Sequence, residues 1–186
     1  GLLAAKAAGE AGADVILADE QPALGGALQW SADVTVDGKS GVDFADDVAA
    51  ALAAMKNVRV LTRTTAFGYY AQNMVALAER VTDHMSNPAV DLPRERLWQV
   101  RAKQVILATG AIERHMVFDQ NDRPGVMLAS AGRTFLNQYG VAIGQRVGVY
   151  TANDSAYAAA FDLKQSGIDV PAIVDLRKSV DDKLLL

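Results

Sequence analysis

Apolar and polar positions along this chain fall into blocks that read as alternating helices and strands. The opening GLLAAKAAGEAG, residues 1–12, is Ala-rich and predicts a helix closed by Gly12. VILAD, residues 15–19, follows as a short apolar run of strand type that stops on an acid. Residues 24–41 read as a loop with one short apolar-polar stretch. VDFADDVAAALAAMK, residues 42–56, predicts a second helix, with acids towards its N-terminal end and Lys56 towards its C-terminal end, as the helix dipole favours. VRVLTRTTAFGYY, NMVALAERV and RLWQVRA then suggest a small antiparallel meander. QVILAT predicts a buried strand ending at Gly110, and ERHMVFDQNDRPG a connection rich in turn formers. After Pro124 the pattern restarts. VMLASAGRTFLNQYG reads as a helix closed by Gly140, QRVGVYT as a strand, DSAYAAAFDLKQSG as a helix, and IDVPAIVDL as a strand disturbed at Pro171. This order of elements predicts an α/β protein with parallel strands.

Composition narrows the class. The chain has 186 residues, 51% of them apolar, and a net charge of −4 with both signs interspersed. No block of Lys and Arg marks a nucleic-acid or polybasic membrane surface, and no apolar run approaches the roughly 20 residues of a membrane span. The absence of Cys excludes thiolate chemistry and disulfides within these residues and suits a reducing, cytoplasmic compartment. His84 and His115 lie in unlike contexts without metal-ligand spacing, so no metal site is expected. Gly1 lies inside a helical pattern and Leu184-Leu185-Leu186 carries no cap, which reads as an internal piece of a longer polypeptide.

The acid at the end of VILAD carries the first chemical signal. A dinucleotide-binding βαβ unit needs glycines where backbone nears a pyrophosphate and helix-terminal N–H groups for its charge. It also needs a carboxylate on the ribose hydroxyls about 20 residues past the glycines. Gly1 followed by Asp19 fits that spacing if Gly1 is the last glycine of a GxGxxG motif. An acidic turn after an ordinary strand, with Gly25-Gly26 making the bend, explains the stretch alone equally well. The later features favour the ligand: LGG at Leu24–Gly26, a β-rich tract, and ATG at Ala108–Gly110. That order matches flavoprotein reductases with two dinucleotide domains.

AKQVILATGAIER, NDRPGVMLASAGRTFLNQYG and NDSAYAAAFDLKQSG resemble the alpha subunits of the heterotetrameric sarcosine oxidase family. Related opine oxidase and hydrogen cyanide synthase subunits share parts of the pattern. The resemblance runs from Gly1 to about Arg177. It implies a Rossmann-like FAD/NAD(P)-binding domain with a small β meander over residues 1–122, lacking its first strand and most of the glycine motif. Part of a second nucleotide-binding-like domain, not ligand-competent, would cover 123–186. It further implies NAD where related enzymes hold FAD, with FAD as the alternative. Asp19 and Glu20 would accept from the adenosine ribose. Gln21 stands where relatives often carry Arg. Gly26 and Ala27 would line the turn over the dinucleotide, Ala66 would meet the adenine edge through its backbone, and Ala108, Thr109 and Gly110 would complete the site with Gly1.

The family's reaction is oxidative demethylation of sarcosine to glycine. Hydrogen peroxide is formed, and the one-carbon unit passes to tetrahydrofolate or leaves as formaldehyde. FAD, FMN and tetrahydrofolate would be held elsewhere in a complex with beta, gamma and delta subunits. No catalytic residue of that chemistry is expected in this segment. An FAD-dependent, NAD(P)H-linked reductase is the rival reading, but the second unit has ANDSAY where a nucleotide site wants glycines, and Asp154 would oppose a phosphate. A scaffold that binds nothing is the third.

Other features have plainer readings. Glu113, Arg114 and His115 invite an acid–base role, but a surface or packing role is favoured. Arg123 in NDRPG fits an ordinary turn. Trp30 and Trp98 read as packing aromatics without basic surroundings, and Tyr69-Tyr70 as half-buried structure.

Overall fold

The computed structural model describes residues 1–180, so the closing leucines lie outside the described residues. The chain forms two compact units. One comprises Gly1–Gln29 and Val36–Gly110, and the other Trp30–Thr35 with Ala111 onward. The division falls at Gly110/Ala111, twelve positions before the expected 122/123, and Trp30–Thr35 joins the second unit.

In the first unit, α1 (Leu2–Glu10) leads to β1 (Val15–Ala18). Gly12, at φ 83°, closes α1, with Gly12 N–H bonded to Gly9 O and Ala13 N–H to Ala8 O. This left-handed turn is the one glycine adopts without strain. Two short strands, β2 (Thr35–Val36) and β3 (Lys39–Ser40), flank a turn at Asp37-Gly38, both at positive φ. Ser40 then caps α2 (Gly41–Ala54), accepting from Asp43 N–H at 3.1 Å. β4 (Val58–Leu61) pairs in parallel with β1, Val15 opposite Val58 and Ala18 opposite Leu61. Ala5, Val48 and Leu52 bury the helix faces against Val15, Leu17, Val58 and Val60 of the strands. Asn57 ties the layers together by donating to Gly9 O at 2.9 Å and Ala13 O at 2.8 Å.

The meander consists of β5 (Thr64–Tyr70), β6 (Met74–Arg80) and β7 (Glu95–Arg101), antiparallel in that order. VRVLTRTTAFGYY is therefore two strands, not one. Arg63 takes φ 52° between them, and that backbone reversal hands the chain from the parallel pair to the meander. Phe67 is bulged out between Ala66 and Gly68.

Three expectations for this unit are corrected. QVILAT is not a buried strand: Gln104–Thr109 has no ladder, and Ile106 and Leu107 are 68% and 71% exposed. A strand exists only through hydrogen bonds to a neighbour, and no described strand lies beside these residues. Tyr69 and Tyr70 are more than half exposed. Trp98 does have basic surroundings, with Arg59 and Arg96 at 5.5 and 5.7 Å from its ring and its indole N–H on Glu79. Arg59 reaches Trp98 from β4, which the alternation of β7 does not foretell, whereas Arg96 lies two residues before it on the same strand.

In the second unit, α3 (Ala129–Arg133) widens into a π turn over Thr134–Gln138 and ends at Gly140, φ 65°. β8 (Val149–Thr151), α4 (Ser155–Gln165) and β9 (Ile173–Asp175) form a βαβ crossover with β8 and β9 parallel. Pro171 delays β9: an isolated bridge joins Arg146 to Asp169, and regular pairing begins at Ile173. Val149, Ala156 and Ala160 form the small core. Arg133 and Asp162, both nearly inaccessible, pair at 2.6 Å, and Asn137 donates to Asp162 at 2.7 Å and to Trp30 O at 2.8 Å. Arg133 also lies 5.5 Å from the Trp30 ring, so this tryptophan too has a basic neighbour.

Candidate functional site

β1 and β4 run in parallel and end together, and the residues just past their ends are locked to one another. Asp19 N–H donates to Leu61 O at 2.9 Å, Thr64 N–H to Asp19 O at 2.8 Å, and Arg63 N–H to Gln21 O at 3.0 Å. Asp19 is half-buried, and its Oδ1 accepts from Gln21 N–H at 2.9 Å, which fixes the carboxylate over its own turn. Glu20 and Gln21 are exposed. The carboxylate at the strand end is thus bonded within its turn and faces the open end of a parallel sheet, where α/β units bind ligands.

The start of α1 lies at this same end. Gly9 rests on Val58 at the beginning of β4, and Asn57 holds the last turn of α1 there. The helix therefore runs back along the strands and begins where they finish. Gly1 is its N-cap and supplies no side-chain cap, and no acid occupies the first turn. Gly1 also lies beside Ala108: a Cβ on Gly1 would sit 3.6 Å from that of Ala108. Gly110 takes φ 69°, and Ala108, Thr109 and Gly110 are exposed.

Between these elements lies the Leu24-Gly25-Gly26 turn. Leu24 is buried, Gly25 and Gly26 take φ 119° and 55°, and Gln29 donates to Leu24 O at 2.6 Å. Gly26 and Ala27 open a 3₁₀ turn, Gly26–Gln29, and both are exposed. Ala66 lies in β5, an edge strand, two residues beyond the Thr64 that bonds Asp19.

The structure thus joins Asp19 with Gln21, and Gly1 with Ala108. Glu20, Ala27 and Thr109 are exposed at their places without side-chain hydrogen bonds among the described residues. The assembly offers a carboxylate acceptor, free helix-terminal N–H groups and open backbone edges. Those are the groups that hold a ribose diol, a pyrophosphate and a base.

The corresponding end of the second unit is differently filled. Arg177 binds Asp175 through Nε at 3.1 Å and Nη2 at 2.8 Å, and its backbone N–H adds a bond at 2.9 Å. It reaches Asp154 through Nη1 at 2.6 Å, and Tyr157 donates to Asp175 at 3.0 Å. The guanidinium and backbone of Arg177 hold the Asp175 carboxyl well below the usual carboxylate range, and Asp175 and Asp154 raise Arg177 in return. Burial, then Asp175, pushes the Tyr157 phenol up. Asp154 stands at the N-cap of α4 without a side-chain cap bond, and Asn153 before it accepts from Ser155 N–H at 3.0 Å. Glu113 accepts from Ser130 N–H at 2.8 Å at the start of α3 and reaches the Ser155 hydroxyl at 3.4 Å. His115 bonds the neighbouring Met116 carbonyl, and Arg123 sits in hydrogen-bonded turns. The acid-then-arginine pattern of VDLR repeats the strand-end acid of VILAD and could have been noticed in the sequence. The capping role of Glu113 had no such signal, because its partners lie 17 and 42 residues away. Among the described residues no cluster of three or more His, Cys, Asp or Glu is placed to hold a metal.

The fold is that of a Rossmann-like α/β segment. It is similar in structure to L-proline dehydrogenase from P. horikoshii, with a TM-score of 0.72 and 24% identity, covering 98% of this chain and 35% of that one. In sequence it matches sarcosine oxidase alpha subunits. It is 52% identical over 95% of its length to sarcosine oxidase subunit alpha from Rhizobium meliloti (strain 1021). It is 44% and 46% identical over 97% of its length to those of Corynebacterium sp. strains U-96 and P-1. The chain spans 18–19% of the length of these relatives. No family model matches it.

Proposed function

We propose that this chain is the dinucleotide-holding segment of a sarcosine oxidase-type alpha subunit and that it binds NAD at the joint end of β1 and β4. The observation that carries the binding reading is Asp19, fixed at that end by backbone bonds to Leu61 and Thr64. The near full-length similarity to three sarcosine oxidase alpha subunits supports the choice of complex. Asp19 and Glu20 accept from the adenosine ribose, the start of α1 at Gly1 faces the pyrophosphate, Gly26 and Ala27 cover it, and the backbone at Ala66 meets the adenine. Ala108, Thr109 and Gly110 border the site. FAD shares the ribose and pyrophosphate and is the competing occupant.

The complete assembly oxidises the N-methyl amine of sarcosine, giving glycine and hydrogen peroxide, with the one-carbon unit taken by tetrahydrofolate or released as formaldehyde. Flavins, folate and the beta, gamma and delta subunits belong to that assembly, which works in the cytoplasm. Among the described residues no helix is long and apolar enough to cross a membrane. The second unit is structural: Arg177 and Tyr157 engage the Asp175 carboxylate that a ribose would need.

The test uses the full-length protein purified with its co-expressed partner chains. Heat-released cofactors are separated by chromatography, and peroxide production is compared between sarcosine and opines. NAD release that is lost in Asp19→Ala, with peroxide from sarcosine, is the expected result. Released FAD from this site, reduced in the intact protein by NADH, overturns the reading.

A further inference from the structure

The proposed site holds two acids, Asp19 and Glu20, against a ligand that carries two phosphate charges, and its third strand-end residue, Gln21, is neutral. The backbone of a basic residue adjoins this strand end from the other strand. Arg63 follows β4, and its N–H is bonded to Gln21 O at 3.0 Å, next to the Thr64–Asp19 bond. Its carbonyl accepts from Arg80 N–H, so the backbone is held on both sides. The residue takes φ 52°, a left-handed conformation that a long side chain adopts at a cost and that persists only where its surroundings impose it. Arg63 is half-buried, yet no hydrogen bond or ion pair of its guanidinium is found among the described residues. Arg94, Arg96, Arg133 and Arg177, by contrast, all have carboxylate partners. Five donors with an open fork suit phosphate and the face of a base.

We propose that Arg63 is a dinucleotide-binding residue that brings the cation to the adenylate end of the site. This rests on the reading of Asp19 as the ribose acceptor. Strain and binding then predict opposite responses to one substitution. Glycine adopts this φ freely, so Arg63→Gly relaxes the backbone while removing the guanidinium.

The experiment measures NAD⁺ affinity by calorimetry on the full-length, cofactor-stripped complex, with the ligand-free thermal midpoint recorded beside it. Arg63→Gly is expected to weaken NAD⁺ binding at least tenfold without lowering the midpoint. Arg63→Lys is expected to fall between it and the unmodified protein. Affinity should also decline less steeply with added KCl in Arg63→Gly, a response that a purely structural residue would not give. If Asp19→Ala loses binding while Arg63→Gly keeps it within twofold, the assignment of Arg63 is wrong and the site stands. If Asp19→Ala also binds normally, the site reading itself fails, and the role of Arg63 with it.

Discussion

Gly9 of α1 lies so close to Val58 of β4 that a Cβ on the glycine would come within 2.7 Å of Val58 Cγ2 and 2.8 Å of Met55 Sδ. Helix and strand can approach this closely only because position 9 has no side chain. Two effects of Gly9→Ala therefore oppose each other. Alanine gains about 1 kcal/mol in helix propensity, while an overpacked contact against a stiff β-branched neighbour costs about 1–3 kcal/mol. We expect net destabilisation, because Val58 is in a paired strand and cannot retreat. Chemical denaturation of the full-length variant should show a lower midpoint; an unchanged or higher one would mean that helix and strand are free to separate.

Adjacent glycines in the Leu24-Gly25-Gly26 turn should respond unequally. A Cβ at Gly25 would meet the Ala45 Cβ at 2.8 Å, and φ there is 119°, outside the left-handed basin open to other residues. At Gly26 φ is 55° and nothing lies within 4 Å. Gly26→Ala should cost only its backbone penalty, about 1 kcal/mol, whereas Gly25→Ala should cost more and displace α2 from the turn. Thermal midpoints of the two variants, measured side by side, check the order. Equal midpoints would place the strain elsewhere.

These cases show what the sequence made legible. The βαβ order, the acid at the end of VILAD and the Gly12 cap follow from local pattern, and the structure has each of them. The places of Asp19 after a strand and of Gly1 at the start of a helix were legible, because their spacing along the chain reflects the length of one helix and one strand. The place of Arg63 beside Gln21 was not, since it arises from pairing between β1 and β4, distant in sequence. QVILAT shows the converse. Its composition reads as strand, but ladder hydrogen bonds come from a neighbour, and composition carries no information about whether that neighbour is there. Trp98 fails in the same manner, because Arg59 reaches it from another strand.

Arg133 and Asp162 in the second unit form a pair that should be costly to break and cheap to replace. Both side chains are almost inaccessible, and Asn137 supplies a further bond to the same carboxylate. Arg133→Met takes the guanidinium from Asp162 and from the half-exposed Asp33 and leaves Asp162 only the Asn137 bond, a change worth about 3–5 kcal/mol. The double substitution Arg133→Met with Asp162→Leu removes both charges and should recover much of that loss. Denaturation midpoints of the single and double variants decide it; a double variant as unstable as the single would show that packing around Trp30, not charge, sets the cost.

Asp175 gives the second unit an acid-sensitive contact. Arg177 lowers its folded-state pKa, with help from the Arg177 N–H and Tyr157, against an unfolded carboxyl near 3.9. The unfolded chain therefore takes up the proton first, so the stabilisation is complete above about pH 4 and is lost as pH falls towards the folded value. Arg177 stays charged and Tyr157 protonated throughout this range. Asp154, the other acid facing Arg177, is exposed. Asp175→Asn should lower the thermal midpoint at pH 7 and flatten its decline between pH 4 and pH 2, since the variant has already lost what acid removes. A decline as steep in Asp175→Asn as in the unmodified protein would assign the acid sensitivity to other carboxylates.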